Sequence, residues 1–146
     1  MFGMFRKKAK IVQREVKNFE KRDLMQAAVG IALLVGWADG DLSVSEGDKI
    51  QKVLANNPSL AGFGAEVTET FNRYNTMLRD TGFLIGKSQI MREIEDVKGD
   101  NREAEDVFLV GLTVALADGE VDEKELKVLT DVGMMLGLRL ENYLQV

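Results

Sequence analysis

The chain has no cysteine, no histidine and a single proline in 146 residues. Without cysteine there can be no disulfide, thiolate metal site or cysteine nucleophile. Without histidine the commonest general base and the usual zinc and copper ligand are missing, so a bound metal is expected to be a hard, oxygen-loving ion, calcium or magnesium before zinc. No apolar run approaches the roughly 18–20 residues of a membrane span. The start "MFGMFRKKAKIV" lacks the apolar core of a signal peptide, and a cytoplasmic location is the expectation. No alternating pattern of useful length occurs either, which leaves helix as the element this sequence can build.

What is present is an ordinary balance of 45% hydrophobic and 29% charged residues, enough for one domain with its own core. The net charge of −5 is unevenly spread. Residues 1–24 hold eight Lys/Arg against three acids, and the remainder holds eleven against twenty-one. An acidic body argues against nucleic-acid binding and leaves the basic arm as the candidate for anionic partners. Residues 1–22 are expected to form a basic amphipathic helix, with Phe5, Ala9, Val12, Val16 and Phe19 on one stripe, and residues 23–146 a single helical domain. As structure, the stripe packs on the body or pairs with a partner helix. As function, Phe2, Met4 and Phe5 enter an anionic membrane while Arg6, Lys7, Lys8 and Lys10 meet its headgroups.

Spacings of three and four predict an all-α protein of about seven helices. After the arm, Asp23 with Gln26 reads as a cap for "LMQAAVGIALLVGWA", which is apolar nearly all round and belongs at the centre of the core. Further helices are expected over about Ser43–Ala55, Ala65–Asp80, Lys87–Val97, Arg102–Ala117 and Asp122–Leu136, with a last turn in "RLENYL". Gly99 reads as a helix-ending residue, Trp37 as packing, and Met134 and Met135 as core fillers. "GFLIGKS" has one residue too few between its glycines for a phosphate-binding loop and follows no strand.

Two stretches repeat. "ADGDLSVSE" (residues 38–46) and "ADGEVDEKE" (residues 117–125) are offset by 79 positions, and each follows one of the two most apolar helices. This predicts two helix–loop–helix hairpins in a pseudo-symmetric bundle. Helix-start chemistry explains part of the pattern: Ser43 with Glu46, and Asp122 with Glu125, both read as capping boxes, and Gly40 and Gly119 suit the residue that ends a helix. It leaves Asp39, Asp41, Asp118 and Glu120 unexplained. With Ser43 or Asp122 these place oxygen ligands at i, i+2 and i+4, as the start of an EF-hand does. The rest of the EF-hand pattern fails, with Val44 and Glu123 at its glycine position and Ile50 and Leu129 at its twelfth. The candidate metal ligands are therefore Asp39, Asp41, Ser43, Glu46, Asp118, Glu120, Asp122 and Glu125.

Through "LMQAAVGIALLVGWADGDLSVSE", "TFNRYNTMLRDTGFLIGKSQIMREI" and "FLVGLTVALADGEVDEKE", the chain resembles the tellurite-resistance protein TerB family over essentially its full length. The resemblance implies an all-helical bacterial or phage-borne stress protein without enzymatic activity. It also implies a membrane partner, TerC, a location at the inner face of the membrane, and calcium on the acidic residues, with magnesium as the alternative. Ser43, where the second copy has Asp122, leaves the first loop one carboxylate short. Two other readings stand beside it: a metal-dependent hydrolase using the clustered carboxylates, which would need a deep pocket, and a structural interaction module without metal.

Overall fold

The computed structural model describes residues 22–144, and every regular element among them is helical. Among the described residues, helix α1 takes up residues 22–36. It is followed by α2 (Val44–Ala55), a 3-10 helix (Pro58–Phe63), α3 (Ala65–Thr81), α4 (Phe83–Glu95), α5 (Asn101–Leu116), α6 (Glu123–Leu136) and a 3-10 turn (Leu140–Asn142). The expected arm helix lies outside the described residues apart from Arg22, which pairs with Glu66 on α3 at 3.1 Å. Asp23 does not open α1, because residue 22 is already helical.

The core is built around α1 and α5. Ala27, Val29, Ile31, Ala32, Leu33 and Leu34 of α1 are fully enclosed, as the all-round apolar sequence requires. Each large aliphatic side chain buried in this way contributes ~1.5–3 kcal/mol. Helix α5 presents Val107, Phe108, Gly111, Leu112 and Ala115 to the same interior. The two central helices meet where Gly111 faces Ile31: a Cβ on Gly111 would lie 2.6 Å from Ile31 Cδ1. Helix α2 folds back on α1, with Ile50 and Leu54 buried, and α6 folds back on α5, with Val128, Leu129 and Val132 buried. These are the two hairpins the repeat predicts.

Between them, α3 and α4 form a third antiparallel pair. Helix α4 starts at Phe83, four residues before the expected Lys87. Gly82, at φ 84°, closes α3 and opens α4 in one residue. The Gly86 that imitates a phosphate loop is a packing residue, buried against Leu78. Helix α4 ends at Glu95, and Gly99 is not left-handed. Asp100 opens α5 instead, its side chain accepting from the Arg102 and Glu103 amides. Met135 packs against the core, whereas Met134 is 77% exposed, contrary to its expected role.

Candidate functional site

The two Asp-Gly loops leave their helices in nearly the same way. Gly40 has φ 89° and Gly119 φ 87°, a backbone that residues with a Cβ rarely adopt. Each glycine amide donates back to the third residue before it, Gly40 to the Trp37 carbonyl at 2.8 Å and Gly119 to that of Leu116 at 2.9 Å. Ser43 then caps α2 by accepting from the Glu46 amide at 3.1 Å, and Asp122 caps α6 by accepting from the Glu125 amide at 2.8 Å.

The equivalence ends with the side chains. In the second copy Glu125 Oε1 accepts from the Asp122 amide at 3.2 Å, completing the capping box. In the first copy the reciprocal bond is absent, and the Glu46 carboxylate has no partner among the described residues. Val121 and Leu126 pack against the core and brace the second loop, while Gly47 gives the first no such contact. Asp39 Oδ1 accepts from the Asp41 amide at 3.1 Å, a local turn closed by a carboxylate. Its counterpart, Asp118 Oδ1, accepts instead from Lys49 Nζ at 3.2 Å.

Both loops open onto one cleft of about 210 Å³ between the hairpins. Its walls are apolar (Val35, Ala38, Ile50, Val53, Val114 and Ala117), and its polar groups are Asp39, Glu46, Asp118, Asp122, Glu125 and Lys49. Five of the eight expected metal ligands thus come together. Asp41, Ser43 and Glu120 do not: they are exposed and line no part of the cleft. Glu46, which capping logic accounted for, is among the free carboxylates. Lys49 gave no signal of a site role, because its meaning depends on the packing of α2 against the second loop.

The chemistry of the donor set suits a hard cation, since it is all carboxylate oxygen. The spacing does not, because no three acidic side chains among the described residues stand close enough to hold one ion. The charge is relieved in two other ways. Lys49 places an ammonium on Asp118. Glu125 has its pKa pushed up to about 7, foremost by burial, with the charges of Asp122 and Asp118 adding and the backbone bond from Asp122 opposing. Glu125 is therefore partly protonated near neutrality.

The chain is thus a small all-helical bundle with two Asp-Gly hairpins facing one cleft. The family model of tellurite resistance protein TerB matches residues 25–145, so the chain belongs to the TerB family. TerB is not a known enzyme family. No curated protein and no solved structure matches the chain. No helix among the described residues is long and apolar enough to cross a membrane.

Proposed function

We propose that the chain is a non-enzymatic, cytoplasmic stress-response adaptor whose acidic cleft responds to a divalent cation and is offered to a membrane-bound protein partner of the TerC type. The observation that carries this reading is the meeting of both Asp-Gly loops in one cleft, with five carboxylates facing a single lysine. That concentration of like charge makes the two hairpins sensitive to any cation that enters. Lys49 is the resident competitor, neutralising Asp118 when no divalent ion is bound.

The test is calorimetric titration of the metal-stripped protein with calcium and with magnesium, alongside Asp39→Ala and Asp118→Ala. Saturable heat that both variants lose is expected. No heat, or equal heat in the variants, removes the cation from the proposal. A structural module without metal is then the remaining reading, and the reciprocal Asp122–Glu125 bonds and the Lys49–Asp118 pair already favour it. For the membrane side, co-sedimentation with anionic vesicles is compared between the full chain and a version lacking residues 1–22. Unchanged pelleting ends that part of the reading.

A further inference from the structure

The described part of the chain is entered at Arg22, which is exposed and borders a recess of about 570 Å³. The recess lies between residues 22–24 of α1, the 3-10 helix Pro58–Phe63 and the first turn of α3. Leu24, Pro58, Gly62 and Phe63 give it an apolar surface, and Arg22 and Glu66, paired at 3.1 Å, stand at its polar edge. Phe63 is partly buried against the core, and a Cβ built on Gly62 meets nothing within 4 Å, so the recess is open on that side. Phe19 stands three residues before Arg22. Three residues of chain span at most about 10 Å, so its ring cannot leave the neighbourhood of the recess. Val16 and Val12 continue the apolar stripe upstream of it. Charge favours the same meeting: residues 1–21 hold seven Lys/Arg against two acids, and the rest of the chain twelve against twenty-two. A tethered segment also meets its own body at the high effective concentration set by a short link, so a modest apolar contact suffices.

From the place where the chain enters, and from this complementarity, we infer that the recess beside Arg22 is the docking site of the chain's own N-terminal segment, residues 1–21. Phe19 is its anchor, seated against Pro58 and Phe63, with Val16 following. A segment held there is withdrawn from anionic surfaces, so the contact regulates the membrane side of the proposed function. It rests on that reading for this consequence alone; the contact itself rests on the recess, the short link and the charge.

The experiment is the rate of tryptic cleavage within residues 1–21 of the full chain, compared with a free peptide of the same residues. The seven Lys/Arg there are the cleavage sites, and when release is fast the rate tracks the fraction of segment released. The full chain is expected to be cut at least about tenfold more slowly than the peptide, at every protein concentration. Phe19→Ala removes the anchor, and Gly62→Arg puts bulk and like charge into the open side of the recess. Each is expected to bring cleavage to the rate of the free peptide. Should Gly62→Arg lower the unfolding midpoint, Phe19→Ala decides alone. Cleavage of the parent as fast as the peptide overturns the inference, and so does equal protection in parent and variants. Protection that grows with protein concentration also overturns it, since the recess of a second copy is then the one covered. No vesicle and no metal is present, so failure here leaves the co-sedimentation result and the reading of the cleft untouched.

Discussion

Lys49 Nζ lies 3.2 Å from Asp118 Oδ1, a bond that ties helix α2 of the first hairpin to the loop of the second across 69 residues of sequence. Both side chains are more than half exposed, at 58% and 69%, so the bond adds little to folding. Its weight is local: it is the one positive charge among the polar groups of the cleft.

Replacing that lysine should separate the two roles. Lys49→Met is expected to change unfolding stability by less than about 1 kcal/mol. The same variant should bind calcium more tightly than the parent in calorimetry, because a competing ammonium has gone. Equal or weaker binding would show that Lys49 does not compete.

Glu125 gives the cleft a pH dependence of defined sign. Its carboxyl is raised from 4.5 to about 7 in the folded state, so between those values the native protein holds a proton that the unfolded chain has released. Stability from this group is greatest at low pH and falls as pH rises through that window. Glu125→Gln keeps an oxygen acceptor for the Asp122 amide and should flatten the slope of midpoint against pH between about 5 and 7. A slope identical to the parent would locate the titration elsewhere.

The most sheltered ion pair among the described residues joins α4 to α6, with Lys87 Nζ 2.7 Å from Asp131 Oδ2 and exposures of 18% and 31%. Burial pushes the Asp131 pKa up, but the bond and charge of Lys87, helped by Lys127, outweigh it and the net shift is downward. This pair therefore stabilises above the ordinary carboxylate range, and its contribution is lost as pH falls through the depressed value. Asp131→Asn is expected to cost about 1–2 kcal/mol, leaving Lys87 half-buried without its counter-charge. Near neutral pH that is a fall of roughly 3–8 °C in unfolding midpoint, and the difference should shrink in strong acid.

Gly133 sits under the chain reversal that ends α6, where an added Cβ would fall 2.8 Å from the Leu138 carbonyl oxygen and 3.3 Å from Phe108. The same reversal is closed by the Leu138 amide donating to the Gly133 carbonyl at 2.8 Å. Backbone cannot move aside as a flexible side chain can, so Gly133→Ala should cost about 1–3 kcal/mol. Denaturant unfolding with an unchanged m-value checks it.

Helix existence was legible from the residues because burial imposes its period on them. Val67, Phe71, Tyr74 and Leu78 mark α3, and the Ser43 and Asp122 caps fix two starts to the residue. The start of α4 was not legible, because Gly82 joins two helices without any side-chain cap. At the site, the repeat singles out both loops, and the structure places Asp39 and Asp118 on one cleft. Glu46 reads both as a cap and as a ligand, and whether its carboxylate turns back to its own cap or outward is decided by neighbours the local sequence does not contain. Spacing groups Asp41 and Glu120 with Asp39 and Asp118, whereas in the structure both are exposed and line no part of the cleft.

The indole nitrogen of Trp37, 2.8 Å from Asn75 Oδ1, fastens the end of α1 to α3 just before the first loop begins. At the equivalent place before the second loop stands Leu116, which is 45% exposed and has no such tether. The duplicated halves are therefore fastened at different points, the first at the end of α1 through Trp37 and the second along α6 through the Lys87–Asp131 pair. A segment lying across the cleft meets different ends in its two directions, so the site has a polarity that the near-repeat of its sequence would conceal. Because Trp37 is the one tryptophan in the chain, its emission reports from the first hairpin and not from the second.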